Sequence, residues 1–317
     1  MKDLIKRQKL RDVALLSLTS ENSYLGLSRD IQQRAWWATV ISDVIEDIRS
    51  MILANACDIE SAMLIFQDAW KGLLFELENG DFNSLIKQTE WSSKQIAGID
   101  MKLPFKKVPT ILITGEIFVR RDPLSRQFLT ECLAKKGFAT ICSPVSEWLY
   151  YCNYLVRNDL EIPILSRKEK LFVRLRQWYM SWSEKKLKSI FSRSNIIHSE
   201  PIDIQSIIKN ATPFLSPNLT GEAVLTIGSS ITEVGVNACG VIAISPFGCM
   251  PNRLSEAIIH KAMNRKAKLS TDPKNQHLQT ILSDMEDLPF LAIESDGSPF
   301  PQLIQAKLET FCLQAGR

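Results

Sequence analysis

The chain has 317 residues, a hydrophobic content of 45% and a formal net charge of +3 at pH 7. This length and composition suffice for a large buried core, in one large domain or two smaller ones. So small a net charge disfavours nucleic acid as a partner, and no apolar run reaches the roughly 18–20 residues of a membrane helix. The amino terminus also lacks the long apolar stretch of a signal peptide, so we expect a cytoplasmic protein that does not bind membranes.

The first third of the chain is predicted to be helical. Residues 29–99 carry apolar side chains near a 3.6-residue period, which predicts one long helix followed by two more. Pro104 and Pro109 then break the pattern. We therefore predict a helical amino-terminal region over residues 1–104 and an α/β domain over residues 105–317.

After Pro109 the sequence alternates between short apolar runs and helical patterns. The predicted strands are "TILITG", "FATIC", "GVIAI" and "LPFLAIE", and a helical pattern follows each of them. This alternation is typical of parallel strands joined by crossover helices. The predicted fold class is α/β, with a mostly parallel, doubly wound sheet, an N-terminal helical segment and a helical insertion at about 158–215.

The insertion contains a long basic helix, predicted over residues 166–193. Leu171, Leu175, Trp178 and Trp182 form an apolar stripe along it. The stripe predicts that the helix packs this face on the core and leaves its charges in solvent. Two alternatives stay open: a surface for nucleic acid or an anionic membrane, and a helix that covers a site at the strand ends. The cations of this helix include Lys168, Lys170, Arg174, Lys185, Lys186 and Lys188.

Four segments that leave the predicted strands are candidates for a functional site. They are residues 115–123, 142–148, 245–252 and 294–302, and each is rich in Gly, Pro and polar residues. Ligands of open α/β sheets bind beyond the carboxyl ends of parallel strands, so we expect these segments to meet at one edge and bind a cofactor there. The candidate cofactor-binding residues are Glu116, Arg120, Asp122, Asn252, Glu294 and Asp296.

Three of these carboxylates also have a purely structural interpretation. Glu116 and Asp122 are placed to cap helices, and Asp296 precedes a glycine in a turn-like sequence. No P-loop or GxGxxG motif occurs, so no ATP or dinucleotide site is expected in this chain.

Cys249 lies in the loop "SPFGCMPN", after the third predicted strand. A thiolate there can ligate an iron–sulfur cluster, or act as a nucleophile at the start of the next helix. No histidine is placed beside it for a nucleophilic role, since His260 lies well along that helix. Cys142 leaves another strand end and can approach Cys249. The seven cysteines form no CxxC pair, and we expect most of them to be buried apolar residues.

Several of these segments resemble motifs of the large activator proteins of 2-hydroxyacyl-CoA dehydratases. "GEIFVRRDP" is similar to their "GEIYVR-x-DP" segment, "ISPFGCMPN" to their "PFGCMPN" loop, and "ESDGSPFPQ" to their acidic "E-x-DG" turn. The stretch "LLSLTSENSYLGL" resembles the sequence that precedes these motifs in the family. The resemblance covers nearly the whole chain, in order.

This resemblance implies a dehydratase-like α/β domain in which Cys249 is one ligand of a [4Fe–4S] cluster. Full-length family members also carry upstream ATP-binding, actin-like domains and further cysteine motifs, which are not found in this chain. The implied function is an iron–sulfur redox module for low-potential electron transfer, with a partner protein that supplies the other cysteines and the ATPase. The alternatives are a non-catalytic interaction or scaffold subunit that has lost the cluster, and a cluster-free enzyme with Cys249 as nucleophile. The substrate and a homo-oligomeric state stay open.

Overall fold

The computed structural model describes residues 7–8, 27–158, 160, 167–197 and 200–316, with the side chains of residues 167–170 excepted. The segment 15–26, which carries most of the "LLSLTSENSYLGL" resemblance, lies outside these residues. From residue 27 onward, the first three helices are those predicted, and the side chain preceding each accepts a hydrogen bond from an N–H three residues on. They are α1 (Arg29–Asn55), α2 (Ile59–Asn79) and α3 (Phe82–Ala97).

Four strands form one parallel sheet, which confirms the predicted α/β class. They are β1 (Thr110–Gly115), β2 (Ala139–Cys142), β3 (Gly240–Pro246) and β4 (Phe290–Ser295). Their order is β2-β1-β3-β4, and every neighbouring pair is parallel. The two central strands, β1 and β3, are buried on both faces, which explains why each is a largely apolar run in the sequence. The strand order reverses between β1 and β3, and this point is the topological switch point of the sheet.

Helices cover both faces of the sheet. They are α4 (Ile117–Arg121), α5 (Leu129–Ala134), α6 (Val145–Arg157), α7 (Arg167–Phe191), α8 (Ile204–Ala211), α9 (Glu222–Glu233), α10 (Met250–Ala262), α11 (Arg265–Thr271), α12 (Gln276–Ile281) and α13 (Gln302–Ala315). One core lies between the sheet and α5 and α13. A larger core lies between the other face, α9, α10 and the remaining helices. The sheet is therefore doubly wound, as predicted.

Two predicted helices differ from the structure at their ends. The helix predicted from residue 124 begins only at Leu129, because Gln127 and Phe128 adopt left-handed backbone angles with φ of 52° and 51°. The helix predicted through residues 253–268 is divided in two. The first part ends at Ala262, and Asn264 caps α11 by accepting a hydrogen bond from Ala267 N–H.

Helix α1 covers the free edge of β2. Two of its buried or half-buried side chains accept hydrogen bonds that a neighbouring strand would otherwise accept. Ser50 Oγ accepts one from Thr140 N–H at 2.6 Å, and Asp47 Oδ1 accepts one from Cys142 N–H at 3.1 Å. Side chains on one face of α1 thus satisfy the exposed backbone of an edge strand.

Asp43 continues this row one turn earlier on α1. Its two oxygens accept hydrogen bonds from Val145 N–H at 2.9 Å and Ser146 N–H at 3.0 Å, so it caps the start of α6 from outside that helix. The amino-terminal helices are thereby tied to the sheet, and one hydrophobic core includes residues of both. The boundary between residues 104 and 105 stays a prediction.

Helix α7 confirms the predicted long helix but buries the face opposite to the predicted one. The stripe of Leu171, Leu175, Trp178 and Trp182 is exposed, whereas Val173, Met180 and Leu187 are buried. The buried face also carries polar groups that find partners in the core. Trp36 Nε1 donates to Ser183 Oγ at 2.9 Å, and the Tyr150 hydroxyl donates to Glu184 at 2.6 Å. These hydrogen bonds favour this face over the more apolar one.

Lys188 of the same helix does not lie on a solvent face. It is buried, pairs with Glu184 at 2.7 Å, and donates to the Glu200 carbonyl at 3.0 Å. Helix α7 packs against α1, α3 and α6.

Candidate functional site

The four strand exits meet at one edge of the sheet, as predicted, since all four strands are parallel. The switch point between β1 and β3 lies in the middle of this edge. Gly115 ends β1 there with φ of 108°, and a Cβ on it would lie 2.1 Å from the Ile244 carbonyl oxygen of β3. Glu116 N–H donates to the same carbonyl at 3.0 Å. Only glycine fits this position, because the first exit turns directly against β3.

Arg120 joins the exits of β1 and β2. Its buried guanidinium donates to the carbonyls of Gly115 at 2.5 Å, Ser143 at 3.0 Å and Pro144 at 3.4 Å. The predicted ligand-binding arginine is therefore occupied by backbone oxygens. It fixes the shape of the edge and does not present its charge to solvent.

Arg121 of this segment and Arg126, which follows it, are also held by the protein. Arg121 pairs with Asp43 at 2.6 Å, and Arg126 pairs with Glu46 of α1. These ion pairs anchor the first exit to α1.

Three predicted site carboxylates hold local backbone. Glu116 accepts hydrogen bonds from the N–H groups of Phe118 and Val119 and caps α4. Asp122 accepts one from Ser125 N–H at 2.6 Å. Asp296 accepts one from Ser298 N–H at 2.9 Å, and this bond lowers the pKa of Asp296. These three carboxylates lie at the predicted edge of the sheet, but their hydrogen bonds are those of helix caps and turns.

Glu294 and Cys249 are brought together at the exits of β3 and β4. Glu294 Oε1 accepts a hydrogen bond from Gly248 N–H at 3.3 Å, and its Oε2 lies 3.5 Å from Arg253 Nη1. Gly248 has φ of 75°, a left-handed angle that favours glycine. Glu294 therefore braces the loop that presents Cys249.

Cys249 is the N-cap residue of α10 and is partly exposed. Its N–H donates to the Pro246 carbonyl at 3.2 Å, and its thiol makes no capping hydrogen bond. Pro251 occupies the first turn of the helix, where a missing N–H does no harm. The thiol thus stands at a helix amino terminus, where the helix dipole stabilises negative charge.

Cys142 does not join Cys249. Its buried thiol donates to the Arg120 carbonyl at 3.4 Å, in the core under α5 and α13. Burial raises the pKa of this thiol, although Arg121 opposes the effect. Strand β1 also separates β2 from β3, which places their axes roughly 9–10 Å apart. The expectation that Cys142 approaches Cys249 is therefore wrong.

His260 is not placed to act as a base for a nucleophilic Cys249. His260 lies near the far end of α10, and its ring contacts Phe290, at the start of β4, with a centroid distance of 5.0 Å. Eleven helical residues from Cys249 correspond to roughly 16 Å.

Three buried polar side chains at this edge have no hydrogen-bond partner among the described residues. They are Ser143 after β2, Ser245 in β3, and Asn252 in the first turn of α10. In Asn252, both the oxygen and the nitrogen of the side-chain amide lack a partner. Asn252 is 3% exposed. Ser245 points away from the α5 and α13 side, because its neighbour Ile244 belongs to that core. Such orphaned groups need an explanation, and a bound ligand or water is the usual one.

Glu147 of α6 adds a buried carboxyl close to this edge. It accepts a hydrogen bond from Ser229 Oγ of α9 at 2.9 Å. Burial raises its pKa to about 7, although nearby Arg120 opposes the effect. Glu147, Ser143 and Ser245 are not among the site residues predicted from the sequence. A signal was available, because the dipeptide Ser-Pro directly follows β2 and also ends β3.

A separate cavity of about 340 Å³ lies near the opposite, amino-terminal end of β1. Its polar lining includes Asp47, Lys106, Asn237 and His277, which are far apart in the sequence. Burial raises the pKa of Asp47 to about 7, against the opposing effects of Arg121 and the Cys142 N–H. No motif indicated this cavity, because only the folded chain brings its lining together.

Comparison with protein-family models, with curated proteins and with solved structures found no match for this chain. The resemblance to dehydratase activators therefore stays a prediction. Within the described part of the chain, no group of three or more His, Cys, Asp and Glu side chains is arranged to hold a metal ion. No described helix has both the length and the apolar character needed to cross a bilayer.

Proposed function

We propose that this chain is an iron–sulfur redox module that supplies Cys249 as one ligand of a [4Fe–4S] cluster shared with a second polypeptide. The system would be similar to the activators of 2-hydroxyacyl-CoA dehydratases. The observation that supports this most is the position of Cys249, a partly exposed thiol at the start of α10, beside the switch point of the sheet. Ligand sites of such sheets lie at this place.

The described residues do not complete a cluster site by themselves. One accessible thiolate fits one corner of a cluster, and the three other ligands would come from the partner. Within this chain, Glu294 and Arg253 would keep the Cys249 loop in place, and Arg120 would hold the neighbouring exits. A bound cluster would supply low-potential electron transfer. We also propose that the chain lies in the cytoplasm, where thiols are kept reduced.

The test is anaerobic reconstitution of the whole chain with iron, sulfide and a small thiol that can occupy the remaining corners of a cluster. We expect the broad visible absorbance of an iron–sulfur cluster to migrate with the wild-type protein. It should disappear in Cys249→Ala and remain in Cys132→Ala, which removes another free and exposed thiol. Absorbance that survives Cys249→Ala would contradict the proposal, and so would a wild-type protein that never binds iron.

A second candidate is a non-catalytic interaction subunit, and the exposed apolar face of α7 favours it. In that case the Cys249 loop would keep its fold but bind no cluster. The reconstitution test separates the two candidates, because an interaction subunit that has lost the cluster would bind no iron even as the wild-type chain.

A further inference from the structure

Helix α7 shows two faces that follow a seven-residue repeat. The face formed by Val173, Met180 and Leu187 is buried on α1, α3 and α6. The opposite face carries Leu171, Leu175, Trp178 and Trp182 at spacings of four, three and four residues. This spacing is that of the a and d positions of a coiled coil. The helix is therefore fixed to the core by one face and offers a second apolar seam to solvent.

The seam is strongly exposed. Leu171 and Leu175 are each 58% exposed, Trp178 is 67% exposed and Trp182 is 44% exposed. The Trp182 ring contacts the rings of Phe82 at 5.2 Å and Tyr179 at 6.1 Å. Exposed tryptophans on a rigid helix are typical of the residues that dominate protein–protein binding energy. The seam is pre-organised, because α7 does not need to form or move in order to present it.

The charges beside the seam all have one sign. Arg174 and Lys186 flank it at the positions that set partner choice in coiled coils, and Lys185 occupies its next seam position. Among residues 171–191 the sole acidic side chain is Glu184, which is buried. The exposed face is thus apolar and cationic.

These charges indicate what can cover the seam. A second copy of this chain would bring no exposed carboxylate to the seam from residues 171–191, and in a parallel pair it would place the two Lys185 side chains against each other, which is unfavourable. An anionic lipid surface would satisfy the charges, but interfacial helices bury a broad apolar face and not a seam with coiled-coil spacing. A helix with apolar a and d positions and flanking carboxylates satisfies both the seam and the cations.

We propose that the exposed face of α7 is the docking site for an acidic amphipathic helix of another protein. This interface uses none of the residues around Cys249, so it holds with or without a cluster.

The test is binding of a labelled synthetic helix of about four heptads, with leucine at the seam and glutamate at the flanking positions. A matched peptide carries lysine in place of glutamate. Fluorescence anisotropy with the full chain should show binding of the acidic peptide only. Trp178→Ser should weaken it at least about tenfold, as expected for a central aromatic anchor. Phe75→Ser is the matched control, because Phe75 is 62% exposed on α2, and it should leave binding unchanged.

Three outcomes would overturn the proposal: no binding of the acidic peptide, equal binding of both peptides, and an affinity for the acidic peptide that is unchanged in Trp178→Ser. Phosphatidylserine vesicles are titrated in parallel. Vesicle binding that depends on Trp178, without peptide binding, would assign the face to a lipid surface instead. Repeating the titration with Cys249→Ala separates this proposal from the cluster, since we expect the same affinity.

Discussion

Replacing Glu147 by glutamine should remove a pH-dependent destabilisation of the folded protein. Glu147 is buried between α6 and α9, and burial raises its pKa from 4.5 to about 7. The folded state therefore keeps a proton that the unfolded state releases between these two values. The folded state is therefore most stable, relative to the unfolded state, below pH 4.5, where Glu147 is protonated in both. This stability is lost as the pH rises from 4.5 through about 7, because the folded protein must then bury the charged carboxylate.

The size of the effect follows from the shift. Each pKa unit corresponds to about 1.4 kcal/mol, so the shift from 4.5 to about 7 changes the free energy of unfolding by about 3 kcal/mol. Glutamine has the same shape, and its side-chain oxygen can still accept the hydrogen bond from Ser229 Oγ. The variant avoids the burial of a charge, and it should gain stability relative to wild type as the pH rises.

Urea unfolding at about pH 5 and about pH 8, at constant ionic strength, measures this directly. We expect the stability of Glu147→Gln relative to wild type to increase by about 2–3 kcal/mol between the two pH values. Glu90→Gln, at an exposed position of α3, controls for the loss of one carboxylate. A difference between Glu147→Gln and wild type that does not change with pH would refute the reasoning.

Three further substitutions test how the sheet and α7 are held. Ser50→Ala removes the acceptor for a buried backbone N–H and should cost about 1–3 kcal/mol in urea unfolding. Gly115→Ala forces a side chain onto a left-handed backbone against the Ile244 carbonyl, so backbone strain of about 1–3 kcal/mol and a steric overlap should both lower the melting temperature. Lys188→Glu leaves buried Glu184 beside a like charge and should cost about 3–5 kcal/mol, measured by urea unfolding.

Each of these has a matched control. Ser42→Ala changes an exposed serine of α1 and should change stability by less than about 0.5 kcal/mol. Gly137→Ala meets a similar backbone angle in open space, so it should cost less than Gly115→Ala. Lys185→Glu lies on the exposed face of α7 and should be nearly neutral. If a control lowers stability as much as its partner variant, the contact removed by that variant is not the cause of the loss.

The candidate site was only partly predictable. The sequence placed Cys249, Glu294 and Asn252 at strand exits, and the parallel sheet gathers these exits at one edge. It did not reveal that the Arg120 guanidinium donates its hydrogen bonds to backbone carbonyls, because the acceptors at Ser143 and Pro144 belong to another strand exit. Contacts between distant segments leave no local pattern, whereas caps and turns do.

The sequence by itself determined the strands and most of the helices. Buried parallel strands appear as continuous apolar runs, and "TILITG" and "GVIAI" are both strands of the sheet. Helical periodicity likewise predicted α1, α2 and α3 closely.

Only the tertiary structure decided the strand order, the placement of α1 on the edge of β2, and the buried face of α7. Periodicity describes a helix relative to its own axis and cannot say what lies next to it. Helix α7 has two apolar stripes, and the stripe with Met180 is buried because Ser183 and Glu184 beside it find hydrogen-bond partners in the core. The more apolar stripe, with Trp178, is exposed to solvent.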